Sequence, residues 1–148
     1  MDPVSAIGLV ASVIQTLSAV GELIKYVNEV KNASDDKARL AREAASLVVF
    51  LTGFRYDIEQ LDLKDSRYSG LSQVAAEDGP LNQLLATVGR LLKKLKRTSR
   101  WKLLRATTWP LERREVDATI DLIERLKSLI NLSITADSLW VPCVAYNS

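Results

Sequence analysis

The chain has 148 residues and a formal net charge of +2, a length suited to one domain with its own core. Hydrophobic residues make up 47% and charged residues 26%, too apolar for a disordered chain. It contains no histidine and a single cysteine, Cys143. Those counts exclude Ser-His-Asp and Cys-His nucleophile systems, Cys/His zinc sites and any intrachain disulfide.

The first helix is expected at once, with Asp2 as N-cap and Pro3 in the first helical position. Val10, Val13, Leu17, Val20, Ile24 and Val27 recur at spacings of three and four, a helical stripe that should end near Lys31. Charge first appears at Glu22, so residues 3–21 are an uncharged stretch. The second helix starts near Ser34, with Asp35 and Asp36 in the favourable first turn. Its stripe of Leu40, Ala44, Leu47, Leu51, Phe54, Ile58 and Leu61 has coiled-coil-like spacing. Gly53 either weakens that helix or lets another approach closely.

Residues 62–79 are polar and broken by Gly70 and Gly79, the longest connection, with a short helical turn near Leu71–Ala76. The next long helix opens at Pro80. Leu81, Leu84, Val88, Leu91 and Leu95 form its stripe, widened by Leu85 and Leu92. Pro110 disfavours helix at Trp109, and a final helix follows from about Leu111 to Ala136. Val116, Ile120, Ile123 and Ile130 line one edge of it, and Leu122, Leu126 and Leu129 the other. Arg113 with Asp117 and Asp121 with Arg125 are spaced for pairs along its outer face. Ser138–Ser148, with Pro142, reads as an irregular tail. The expected fold is all-α: a four-helix bundle, mostly antiparallel and up-down-up-down, with a long second connection.

Charge is unevenly placed. Residues 1–89 carry a net −4 and residues 90–148 a net +6. Arg90, Lys93, Lys94, Lys96, Arg97, Arg100, Lys102 and Arg105 follow one another without an acid between them. Such a run attracts an anionic lipid surface or nucleic acid; its bland counterpart is a solvated helix end that complements the helix dipole. Trp101 suits a membrane interface and the end of the core alike, whereas Trp109 reads as closing the end of the core. Aromatic and base-reading groups are sparse around the run, which disfavours nucleic acid as the partner.

The uncharged opening PVSAIGLVASVIQTLSAVG nearly reaches the length of a membrane span, but Ser5, Ser12, Gln15, Thr16 and Ser18 dilute it. Asp2 in place of a basic start argues against a signal peptide. Gly8, Ser12 and Thr16 form a small-residue ridge, which suits a buried bundle helix as well as close helix contact in lipid. No phosphate-binding loop and no calcium loop occur in the sequence. The expectation is a protein that is not an enzyme and holds neither metal nor cofactor. Cys143, in an apolar tail, reads as inert.

Several segments together resemble a known family. The opening MDPVSAIGLVASVIQTLSAVG, the stretch GPLNQLLATVGRLLKKLK and the segment TTWPLERREVDATIDLIERLKSLINLSITAD are similar, in order, to the N-terminal domains of fungal STAND (NACHT-type, NOD-like receptor) proteins. The type is HeLo-like, also known from azaphilone pigment cluster proteins. The resemblance covers about residues 1–137 and implies a helical effector module of programmed cell death, as in heterokaryon incompatibility and innate immunity. It implies a cytoplasmic protein that oligomerises with itself, is recruited to the plasma membrane and inserts its N-terminal helix. Carried onto this chain, the insertion element is Val4–Val20, with Val4, Ile7, Gly8, Val10, Ser12, Val13, Ile14, Leu17 and Val20. The anionic-surface residues, assigned from charge, are Arg90, Lys93, Lys94, Lys96, Arg97, Arg100, Trp101, Lys102 and Arg105. A receptor of this kind continues into a nucleotide-binding domain, so the chain is expected to be either an excised domain or a small stand-alone member, serving a STAND-type receptor in cis or in trans. An interaction adaptor without membrane activity is the alternative, motivated by the regular heptads.

Overall fold

The computed structural model describes the backbone of residues 3–30, 34–60, 68–100 and 109–147, and side chains over 7–30, 34–60, 70–97 and 109–134. The fold is an all-α bundle. Its four long helices are α1 (Pro3–Glu29), α2 (Asp35–Glu59), α4 (Pro80–Arg100) and α5 (Arg113–Asn147), and a short α3 (Tyr68–Ala75) lies in the second connection.

Local signals explain the boundaries. Ser34 adopts extended backbone and its side chain accepts a hydrogen bond from the Lys37 amide at 3.1 Å, capping α2 above Asp35 and Asp36. The Lys37 ammonium donates to the Val30 carbonyl just beyond α1, tying the two helix ends together. The turn from α3 into α4 is held by Asn82 and Gln83. Asn82 Nδ2 donates to the Ala76 carbonyl at 3.0 Å, and Gln83 Nε2 to the Asp78 carbonyl at 2.8 Å. Gly79 is required in that turn: a Cβ there would lie 2.5 Å from the Gln73 carbonyl oxygen and 2.8 Å from that of Val74.

The core is made of heptads. The buried residues of α2 are Leu40, Ala44, Leu47, Leu51, Phe54 and Ile58, as the stripe predicts; Leu61 lies outside the described residues. In α4 the buried set is Leu81, Leu84, Thr87, Val88, Leu91, Leu92 and Leu95. In α1 Val13, Val20 and Val27 of the expected stripe are buried, and the alternate positions move by one, from Val10, Leu17 and Ile24 to Leu9, Thr16 and Leu23. Leu9, Val13, Thr16, Val20, Leu23, Val27 and Val30 are buried, whereas Val10, Leu17 and Ile24 are half-buried flanks. Thr16 is tolerated there because its hydroxyl donates to the Ser12 carbonyl at 2.8 Å. Trp109 packs against the core from the residue before Pro110.

Ion pairs fix the directions of the helices. Lys96, late in α4, reaches Glu22, late in α1, at 3.2 Å, so these two helices run parallel. Lys94 meets Glu115 at the start of α5 at 2.5 Å, so α4 and α5 are antiparallel. Arg39 on α2 meets Asp117 at 2.6 Å, and Lys127 meets Glu43 at 3.6 Å, so α2 and α5 run parallel. The directions alternate along the chain, but packing goes around the bundle in the order α1, α2, α5, α4. The α2-to-α4 connection therefore crosses the bundle diagonal, and α3 packs against α4 and α5. Two neighbouring pairs are antiparallel and two are parallel. The 20 residues between α2 and α4 (60–79) are long enough to make that crossing.

Four details differ from expectation. Helix α5 continues through Pro142 to Asn147 where an irregular tail was expected; one proline removes one helical hydrogen bond and need not end a helix. At 1.5 Å per residue α5 is about 52 Å long against about 31 Å for α4, so it outruns its neighbour. Leu129 is not a core residue but 45% exposed, because Leu126 and Ile130 take the inward positions on either side. Arg113 and Asp117 do not pair along α5; each turns to α2, Arg113 to Asp36 at 3.5 Å and Asp117 to Arg39 at 2.6 Å. Finally, Gly53 is exposed, with nothing within 4 Å of an added Cβ, so it mediates no helix contact.

The two glycines should respond oppositely to alanine. In urea unfolding, Gly53→Ala should raise stability by about 0.5–1 kcal/mol through helix propensity. Gly79→Ala should lower it, because three carbonyl oxygens occupy the Cβ position.

Candidate functional site

The basic run becomes one face of α4. Arg90, Lys93, Lys94 and Arg97 recur at the i, i+3, i+4, i+7 spacing that places side chains on one side of a helix. Leu91, Leu92 and Leu95 point into the core, and this fixes the cations outward. Lys96 projects at the other edge of that face. It lies against α1, with its ammonium 3.2 Å from Glu22 and 5.9 Å from the Tyr26 ring centre. Arg100 is the last residue of α4, and its side chain lies outside the described residues, as do Trp101, Lys102 and Arg105.

The α5 side of this face is a groove of about 480 Å³. Thr87, Arg90, Leu91, Lys93, Lys94 and Arg97 come from α4, and Glu115, Ala118, Thr119 and Leu122 from α5. The depression exists because α5 presents the small Ala118 and Thr119 there. Arg90 donates to the Thr87 hydroxyl at 3.3 Å, and that hydroxyl donates to the Gln83 carbonyl at 2.8 Å. Glu115, paired with Lys94, is the single carboxylate among the lining residues. Among the described residues no carboxylate forms an ion pair with Arg90, Lys93 or Arg97. The groove is therefore strongly electropositive and suited to anions rather than to bond-making chemistry.

The residues carried over as an insertion element divide by burial. Val13 and Val20 are fully buried; Val10, Ser12 and Leu17 are half-buried. Ile7 (70%), Ile14 (42%) and Gly8 are exposed. Val4 is in the helix, but its side chain lies outside the described residues. Gly8 meets nothing within 4 Å of an added Cβ, so the Gly8–Ser12–Thr16 ridge is not a close-approach seam. By length and composition, α1 is the one helix among the described residues that is apolar enough to cross a membrane, over Ile7–Glu29. It packs against α2 on one side and α4 on the other.

A second polar cluster was not visible in the sequence. At the α2/α5 seam, the Lys127 ammonium lies 2.8 Å from Glu124 and 3.6 Å from Glu43, and donates to Ser46 Oγ at 3.2 Å. The Lys127 and Glu43 side chains are only 13% and 12% exposed, and Glu43 Oε1 is buried without a hydrogen-bond partner. One ammonium serves two carboxylates. Burial first, then a hydrogen bond with Glu124, pushes the Glu43 carboxyl up to about 7. Glu124, hydrogen-bonded by Glu43 and by Lys127, is held below its usual range.

Searches against family models, curated proteins and solved structures found no match to this chain.

The seam makes stability depend on pH. A carboxyl raised in the folded state contributes stability below its unfolded value, which is lost as pH rises from about 4.5 through about 7. Glu43→Gln should remove that loss. Above pH 7 the variant should be more stable than the parent by on the order of 1 kcal/mol, with a smaller difference at acidic pH. Urea melts across this range read the effect.

Proposed function

We propose that this bundle is a non-enzymatic signalling module that docks on an anionic membrane surface through α4 and delivers α1 to the bilayer once α1 leaves the bundle. The observation that carries the reading is a juxtaposition: α1, of span length and apolar, packs directly against the helix with the basic face. The resemblance of residues 1–137 to the HeLo-like domains of fungal STAND proteins supports it. The resemblance adds self-association, recruitment from the cytoplasm to the plasma membrane, a role in cell death, and a STAND-type receptor as the upstream partner.

Packing supports a triggered event. Leu9, Val13, Val20, Leu23, Val27 and Val30 are buried, and their transfer to water costs on the order of 10 kcal/mol. Hydrocarbon refunds that cost, since lipid tails are as apolar as the core. Thermal opening in water is thus rare, and arrival at a membrane lowers its cost. The cations of α4 bring the protein to that surface, each contributing about 1 kcal/mol.

Large apolar side chains at the surface of α2, Val49 (74% exposed) and Tyr56 (62%), favour a second reading, a protein-interaction adaptor that leaves lipid alone. Concentration-dependent sedimentation without vesicle binding would favour it.

Dye release from phosphatidylserine-containing vesicles separates the two steps. Replacing Lys93, Lys94 and Arg97 by Gln should abolish both binding and release. Ile14→Glu, at an exposed position, keeps the core intact but places a charge in the inserting helix, at a cost of about 2.5–3.5 kcal/mol. It should retain binding and lose release by at least about tenfold. Unchanged release in both variants would contradict the reading.

A further inference from the structure

We propose that the groove between α4 and α5 is a discrete binding site for a multiply phosphorylated ligand, seated among Arg90, Lys93, Lys94 and Arg97. The membrane reading requires only a convex basic face; a groove offers more. Its volume of about 480 Å³ lies in the range of small-molecule sites. Arg90 and Arg97 are two turns apart, about 10 Å along the axis, with Lys93 and Lys94 midway. Three successive levels of positive charge thus face one depression, the pattern that fits several linked phosphates rather than one. The guanidinium groups supply forked donors for phosphate oxygens and the ammonium groups point charges. Leu91 and Leu122 give an apolar floor for the carbon frame of the ligand, and Thr119 adds a hydroxyl on the far wall.

Glu115 gives the site its distinguishing feature. Its carboxylate lies within the groove, 2.5 Å from the Lys94 ammonium. A phosphate entering there competes with Glu115 for Lys94 and is repelled by it, so the carboxylate sets a threshold that only a multivalent anion crosses. A monovalent headgroup such as phosphatidylserine gains too little from the groove. Lys96 lies outside, committed to Glu22 and Tyr26 on α1, and is the internal control. The same phosphate chemistry comes from a polyphosphorylated lipid headgroup or from a soluble phosphate; this inference rests on the membrane reading only for the former source.

The test titrates the full chain with inorganic tripolyphosphate by calorimetry. In parallel, its binding is measured to phosphatidylcholine vesicles carrying either phosphatidylserine or phosphatidylinositol bisphosphate. One tripolyphosphate should bind per chain. Arg90→Gln with Arg97→Gln should weaken it at least about tenfold, the loss of two charged contacts. Glu115→Gln should tighten it, and Lys96→Gln should leave it within about twofold. These are surface positions, so the core is retained. Equal weakening by Lys96→Gln, or no tightening by Glu115→Gln, overturns the site in favour of diffuse charge. Vesicle binding without tripolyphosphate binding also overturns it and leaves the membrane reading standing. Tripolyphosphate binding in the groove without binding to either vesicle supports the site, assigns it to a soluble phosphate and removes the membrane reading.

Discussion

Everything in this fold depends on the heptad of α1. Leu9, Val13, Thr16, Val20, Leu23, Val27 and Val30 form one buried seam, and α2 and α4 both pack against the helix that carries it. Remove α1 and two of the four lateral interfaces go with it. The same helix has no charge before Glu22 and is long enough to span hydrocarbon. The proposed function makes this helix a two-state element, indispensable to the core in water and delivered to lipid on activation, so that its environment decides where its apolar side chains are satisfied.

The crossing connection between α2 and α4 distributes the charge around that element. It sets α4 beside α1 and leaves α5 to pair with α2 through Arg39, Asp117, Lys127 and Glu43. The acidic excess of the first 89 residues is thereby partly absorbed into α2/α5 and α1/α4 ion pairs, whereas most of the cations on the outer face of α4 stay outward. Exposed pairs of this kind contribute little to stability individually. They mark which helices are neighbours and so which face is basic. The groove follows from the same arrangement, since only the placement of α5 next to α4 brings Ala118 and Thr119 opposite Arg90 and Arg97.

Much of this was legible in the sequence, for physical reasons that vary by element. The stripes of α2 and α4 could be read directly because charged residues occupy their outer faces and leave one choice of inward side. In α1 only Val13, Val20 and Val27 were legible as core and the alternate positions lie one residue away, since nearly every residue from 3 to 21 is apolar or small and no charge marks the outer side. Thr16 hid there as well, a polar residue whose burial depends on a backbone partner. The basic run was evident, and its division into a groove-lining group and Lys96 was not, because that division depends on which helix packs on which side. The Glu43–Lys127–Glu124 cluster left no local pattern to mark it, because Glu43 is far in the chain from the i,i+3 pair it joins. It also qualifies the lack of histidine: burial gives a glutamate a titration near neutrality that its side chain does not have in water.

The central claim is that α1 must leave α4 for membrane activity, and a tether between them tests it most directly. With Cys143→Ser as background, Glu22→Cys and Lys96→Cys place thiols at a contact across the α1/α4 seam, to be joined by a flexible, reducible crosslinker. The tethered protein should bind anionic vesicles but release no dye, and reduction of the linker should restore release. Dye release by the tethered protein at the rate of the untethered one would contradict the account.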